Sequence, residues 1–299
     1  MKVLLIGLGS IGKRHAGVLK QLVPTVEITA LRSNKTAEAV PGIQSVFDWS
    51  EITAKPDFII IANATVAHAE SIKKAAQFGV PLFVEKPVVH DLSYSAELLS
   101  AIKVPVYVAC NLRFLAAIQF IQQKIATEKP KIEEVNCYCG SYLPDWRVGQ
   151  SYKAVYSSQA ALGGGVHLDM IHELDYCLYI FGIPNSTRSF FKNKSNLGID
   201  AIDSAHYVLD YGSFFTYISL NYFRRDKKRE LEIVTDSATF KVDLLENTVT
   251  CNGLICFQSA QTGADTYFAQ MQYFLATIAE QGKFMNDLNE SLQVLKAVF

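Results

Sequence analysis

The stretch KVLLIGLGSIGKRH, residues 2–15, constrains the fold more than any other part of the chain. A short apolar-rich run reads as a buried strand. Glycines follow in the spacing Gly7-x-Gly9-x-x-Gly12, and a helical pattern begins at about Ile11. A strand that turns this tightly into a helix calls for Gly7 at the turn, an open backbone at Gly9, and no side chain between helix and strand at Gly12. The free N–H groups and positive dipole end of the helix then favour a phosphate. The motif therefore predicts a dinucleotide held by Gly7, Gly9, Ser10, Ile11 and Gly12.

The remainder of the first third repeats the alternation. VEITALR, DFIIIAN, PLFVEK and VPVYVAC read as strands, and VAHAESIKKAAQFG and LSYSAELLSAI as helices between them. Strands alternating with helices, the strands being nearly continuous apolar runs, predict a doubly wound parallel α/β domain over 1–115. From about Arg113 the pattern changes to a helix over 115–128, a strand over 131–142, a polar loop, and a helix opened by three glycines. A long region of period-two alternation broken by Tyr-Gly-Ser, Asp-Ser and Asn-Gly turns follows. Helices over roughly 265–280 and 287–299 close the chain. This predicts an α+β domain over 116–299 whose strands are mainly antiparallel.

Composition removes several classes of function. The 28 basic and 29 acidic side chains give a formal charge of -1, no field for steering to nucleic acid or anionic lipid. No run reaches the roughly 18 apolar residues of a membrane helix, and glycines and charges interrupt the N-terminal run too early for a signal peptide. A cytoplasmic protein with no nucleic-acid or membrane partner is expected. The six cysteines lack paired zinc-ligand spacing, so no metal site is expected.

Three further stretches carry chemistry. The second strand ends ITALRSNK, without the acidic residue that holds the ribose 2′-hydroxyl of NAD; Arg32 and Ser33 stand there instead and suit a 2′-phosphate, which favours NADP over NAD. LFVEKPVV places Glu85, Lys86 and Pro87 at the carboxyl end of a strand, where open α/β sheets bind ligands, so Lys86 is expected to reach toward the nicotinamide. Pro87 holds Lys86 extended or permits a cis bond that redirects it. In GGGVHLDMIHELDY, residues 163–176, Val166, Met170, Leu174 and Cys177 recur as one helical stripe. Asp169 and His172, three apart, are expected to share a face of that helix, and His167 to lie on another.

GLGSIG at the N-terminus, E-K-P after an apolar strand, IIIANATVAHAESIKKAAQFGVPLFVEKP leading into it, and a GGG helix bearing Asp and His together resemble the Gfo/Idh/MocA family of oxidoreductases. The resemblance covers essentially the whole chain. It implies a Rossmann domain followed by an α+β domain whose open, mainly antiparallel sheet mediates homodimer or homotetramer formation. The implied activity is hydride transfer between NAD or NADP and a hydroxyl or keto carbon of a sugar-like substrate. Carried over by residue, it implies Lys86, His172 and Asp169 as the catalytic group, although members often space the aspartate and histidine four apart rather than three. A histidine suits the hydroxyl proton, and a lysine suits alkoxide character. The resemblance also implies cofactor contacts at Asn63, Thr65, His68, Glu85 and Asn111. Arg113, together with Trp146, Arg147, Tyr152 and Lys153 in SYLPDWRVGQSYK, offers substrate contacts suited to a sugar bearing a carboxylate or phosphate. That loop and HELDY are similar to members associated with surface-sugar and nonulosonic acid pathways. The family also holds redox-neutral NAD-dependent glycosidases and a cofactor-sensing regulator, which are the alternative functions.

Overall fold

In the computed structural model, which describes residues 1–147 and 149–299, the chain divides into two units. The first comprises Met1–Cys110 and Tyr267–Leu292. Its elements begin with β1 (Lys2–Ile6), α1 (Ser10–Leu22), β2 (Glu27–Leu31), β3 (Gln44–Val46) and β4 (Phe58–Ile61). They continue with α2 (His68–Ala76), β5 (Leu82–Glu85), α3 (Ser95–Ala101) and β6 (Val106–Ala109). The six strands form one parallel sheet in the order β3-β2-β1-β4-β5-β6, the doubly wound Rossmann order. Every residue of β4, β5 and β6 is buried, which is why those strands read as unbroken apolar runs. β3 is absent from the sequence reading because its three residues, Gln-Ser-Val, carry no apolar pattern.

The second unit comprises Asn111–Thr266 and Gln293–Phe299. It holds α4 (Ala116–Glu128), β7 (Ile132–Gly140), α5 (Val166–Asp169), α6 (His172–Phe181), β8 (Ser186–Lys192), β9 (Ser204–Asp210) and β10 (Phe215–Asn221). β11 (Lys228–Thr235), β12 (Thr239–Asp243), β13 (Thr248–Cys251) and β14 (Leu254–Gln258) complete its sheet. The eight strands run in the order β14-β13-β12-β11-β7-β10-β9-β8, and every pair is antiparallel except β7 with β10. The expected α/β Rossmann plus α+β class is the observed one.

Two elements depart from the sequence reading. The units are not the contiguous 1–115 and 116–299 expected, because α7 (Gly263–Ala279) from Tyr267 onward, and the chain up to Leu292, return to the first unit. Phe274 of α7 is fully buried, with ring centroids 5.1 Å from Phe58 and 5.2 Å from Phe83, and it stacks on Phe284. Beside it the edge of β6 is covered: Val108 N donates to the Asn286 carbonyl and Asn286 Nδ2 to the Val108 carbonyl, each at 2.9 Å. The last helix, α8 (Leu288–Val298), begins in the first unit, and its residues from Gln293 belong to the second.

The second departure lies at the opening glycines. The single helix expected from Val166 is broken: α5 ends at Asp169, Met170 sits at φ -99° and ψ 33°, and α6 starts at His172. Asp169 and His172 therefore do not share a face of one helix. Different partners fix the two short helices. Val166 N donates to the Ile202 carbonyl and Asp169 bonds to two tyrosines, whereas Glu173 and Asp175 of α6 pair with Arg229 and Arg113.

Candidate active site

Glycine builds the turn between β1 and α1. Gly7 has φ +93°, and a Cβ on Gly12 would stand 2.2 Å from the Gly7 carbonyl oxygen. Gly9 contrasts with both: it is exposed, nothing lies within 4 Å of its would-be Cβ, and it caps α1 without a side-chain bond. Ser10 and Ile11 open a 13-residue helix whose first turn has no acidic residue. Open backbone at such a helix start is what a pyrophosphate requires, so Gly7, Gly9, Ser10, Ile11 and Gly12 fit a dinucleotide.

Lys86, half-buried, follows the last residue of β5, and its peptide bond to Pro87 is cis. The groups around it are tied down. Glu85 is buried; its Oε2 accepts from Lys86 N at 3.2 Å, and its Oε1 lies 2.5 Å from His15 Nε2 on α1. His68 is buried, with Nδ1 3.0 Å from the Pro87 carbonyl oxygen and Nε2 3.1 Å from that of Asn63. Burial holds the His68 pKa below the usual imidazole value against the pull of those carbonyls. Asn63 donates to Ser71 Oγ, and Thr65 starts a half-buried turn. Glu85 and His68, expected as cofactor contacts, thus bond within the protein and hold the backbone on both sides of Lys86. His15 was not singled out from sequence. Its signal was its place with Gly12, Ala16 and Leu19 on the buried face of α1.

Just after β2, Arg32 is buried, and its Nη1 donates to the Glu38 carbonyl at 2.8 Å and to Ser45 Oγ at 3.2 Å. Ser33 beside it is exposed. One guanidinium nitrogen therefore anchors the segment leading into β3, a structural duty that residue type alone does not reveal.

In the second unit Asp169 is the hub of a buried cluster. Its two carboxylate oxygens accept hydrogen bonds from the Tyr156 and Tyr222 hydroxyls, each at 2.5 Å. Burial, and then the Asp169 charge, push both phenols above the ordinary tyrosine value, so they remain donors. Gly164 makes room for this, because a Cβ there would stand 2.0 Å from the Tyr156 carbonyl oxygen. His167 packs on Phe191 and Phe299, and burial lowers its pKa to about 4 despite the nearby Asp169 charge. His172, 8% exposed, opens α6. Glu173, its neighbour, is 0% exposed and takes two bonds from Arg229 of β11, at 2.6 and 3.0 Å. Burial works against the Arg229 cation, but the Glu173 charge and hydrogen bonds, together with neighbouring groups, outweigh it and hold the Arg229 pKa above the ordinary guanidinium value.

The expected substrate contacts divide. Arg113 is buried, not open to a ligand: Nε and Nη2 bond Asp175 at 2.9 and 2.8 Å, and the guanidinium lies over Tyr179. Asn111, expected at the cofactor, is buried in the second unit and donates to Thr266 Oγ1. Trp146 sits edge-on to Tyr222 and donates to Ser141 Oγ, Arg147 lies over the Tyr156 ring, and Tyr152 donates to the Leu197 carbonyl. The recess that Trp146, Arg147 and Tyr152 line has a volume of about 10 Å³, room for one water and not for a sugar ring. Tyr156, Tyr222, Glu173, Asp175 and Arg229 were missed from sequence, since nothing in their spacing, 13 to 62 residues from their partners, announces contact.

Residues 1–105 match the model of the oxidoreductase family with NAD-binding Rossmann fold, Gfo/Idh/MocA. Among curated proteins the chain is 25% identical over 200 residues to the uncharacterized oxidoreductase YrbE of Bacillus subtilis (strain 168), covering 60% of this chain and 53% of that one. It is 27% identical over 186 residues to the scyllo-inositol 2-dehydrogenase (NAD(+)) of the same organism, covering 59% and 53%. The chain thus spans about half the length of these two relatives. Among solved structures it is similar to the WlbA dehydrogenase from Bordetella pertussis in complex with NADH and UDP-GlcNAcA, with TM-score 0.85, 19% identity, and coverage of 100% of this chain and 95% of that one. No helix among the described residues is long and apolar enough to cross a membrane. The glycine turn and the first strands of the parallel sheet fall within residues 1–105, the stretch that matches the NAD-binding Rossmann model of the Gfo/Idh/MocA oxidoreductase family.

Proposed function

We propose that the chain is an NAD(P)-dependent dehydrogenase or reductase acting on a hydroxyl or keto carbon of a sugar or sugar-like compound. The open Gly9 backbone at the start of α1 carries this reading, because it offers a pyrophosphate cradle that any side chain would fill. The curated relatives named for inositol dehydrogenation, and solved structures named for UDP-sugar and levoglucosan dehydrogenation, support a polyhydroxylated substrate. A role in surface-sugar or nonulosonic acid metabolism is the narrower form of this reading. When bound, the nicotinamide supplies the site that accepts or gives hydride. His172 takes or returns the hydroxyl proton, Lys86 stabilises charge on the substrate oxygen, and Asp169, held by two phenols, orients the site.

Fluorescence titration of the protein with NADPH and NADH tests this, followed by addition of neutral and acidic sugars while nicotinamide absorbance is read. The expected result is saturable binding and a sugar-dependent redox change, with binding lost in Gly12→Ala. Arg32→Ala is expected to weaken NADPH more than NADH; equal weakening would remove the case for NADP. Binding without redox change for any sugar would overturn the dehydrogenase reading.

We further propose that the open face of the second sheet joins copies of this chain. Phe190, Phe215 and Tyr217 are 60%, 46% and 41% exposed, and the strand registers place them on one face of β8 and β10. Light scattering is expected to give a dimer or tetramer, and a Phe190→Ser/Tyr217→Ser chain to give a smaller species. A monomeric wild-type protein at micromolar concentration would reject this.

A further inference from the structure

The second unit contains an open cavity of about 620 Å³ that the proposed chemistry does not use. It lies among the end of β8, the segment following it and the turn after β10, and its size is that of a small-molecule site. Three cations line it: Lys192 and Lys194 from one segment and Arg225 from another. Among the described residues the ion pairs near this turn join Arg224 to Asp226 and Lys228 to Glu230, and do not involve these three. Arg225 is held in place by Tyr142, its guanidinium 3.7 Å from the ring centroid. The one carboxylate in the lining, Asp203, is 1% exposed and accepts from Ser195 N at 3.0 Å and Ser195 Oγ at 2.6 Å. It shapes the wall and leaves an excess of positive charge. Phe223, 42% exposed, adds an apolar surface beside the cations.

From this arrangement we infer that the cavity binds a phosphorylated ligand of the diphosphate class, its phosphoryl oxygens on Lys192, Lys194 and Arg225 and its adjoining ring against Phe223. Cations from two chain segments lining one cavity suit an extended anion better than a single carboxylate. The cavity is also tied to the Asp169 cluster. The Asp203 carbonyl accepts from Tyr222 N at 3.0 Å, and the Tyr222 hydroxyl donates to Asp169. The bound group is the anionic handle of the substrate, an assignment that rests on the dehydrogenase reading; the anion site itself does not.

Calorimetric titration of the full chain with pyrophosphate, a sugar 1-phosphate and a nucleoside diphosphate, each with and without saturating NADH, tests the site. Saturable binding is expected to persist with NADH present and to weaken about tenfold or more in Lys192→Ala/Lys194→Ala/Arg225→Ala. A tighter nucleoside diphosphate than pyrophosphate identifies a nucleotide-linked ligand, and a sugar 1-phosphate that binds tighter than both diphosphates overturns the diphosphate class. Arg225→Gln alone, at an exposed position, is expected to weaken binding by a smaller factor with an unchanged melting temperature. Absence of saturable binding, or an affinity unchanged in the triple variant, overturns the proposal. Failure of the dehydrogenase reading registers separately, as no NADH binding or as NADH binding without redox change for any sugar, while anion binding persists.

Discussion

A His172→Ala chain is expected to fold, to bind NAD(P)H with wild-type affinity, and to lose about 10²–10⁴ in kcat, the usual worth of a positioned general acid or base. Lys86→Ala is expected to lose about 10²–10³, as when one electrostatic stabiliser of a developing oxyanion is removed. The reason for separating kcat from cofactor affinity is structural. The pyrophosphate cradle is built from Gly7 to Gly12, and neither Lys86 nor His172 belongs to it. Steady-state kinetics on the best sugar found by titration, with NADH affinity measured by fluorescence on the same preparations, checks both. A pH profile adds a second readout: loss of His172 should remove one limb of the kcat profile, which a merely structural role would leave in place. Wild-type turnover in His172→Ala would remove the histidine from the chemistry and leave the cofactor reading standing.

What the sequence disclosed follows from the range over which each interaction acts. The parallel sheet was legible because Phe58–Ile61 and Leu82–Glu85 are buried on both faces and are therefore almost wholly apolar. The glycine turn was legible because its constraints act between neighbours: Gly12 meets Gly7, five residues away. The helix Gly263–Ala279 was legible as a helix, but its allegiance to the first sheet was not, since an apolar face does not name the surface it covers. The break at Met170 was hidden for another reason. Asp-Met-Ile-His contains no glycine or proline, so the pattern reads as continuous, and the forces that divide it come from Tyr222 and Arg229, 53 and 56 residues from their partners. Arg113 shows the same limit, because a lone arginine after a strand reads as a ligand contact until Asp175, 62 residues on, is seen to accept two of its hydrogen bonds.

Arg229→Ala is expected to be among the most destabilising single changes in the second unit. Glu173 is 0% exposed and accepts two hydrogen bonds, at 2.6 and 3.0 Å, from this guanidinium, whose own side chain is 22% exposed. Removing the arginine leaves a buried carboxylate without its counter-charge, which costs about 3–5 kcal/mol and lowers the melting temperature by on the order of 10 °C in a unit of this size. Glu173→Gln/Arg229→Met, which withdraws both charges and keeps the volume, is expected to recover most of that loss, because the penalty comes from the orphaned ion and not from the absence of a bridge. Thermal melts of wild type, Arg229→Ala and the double variant decide it. A double variant as unstable as the single one would mean that the Arg229 stem supports the packing of α6 and that charge has little part in it. The outcome bears on function through one residue: His172 immediately precedes Glu173, so the ion pair that anchors α6 to β11 also fixes the backbone from which the proposed proton-transfer group projects.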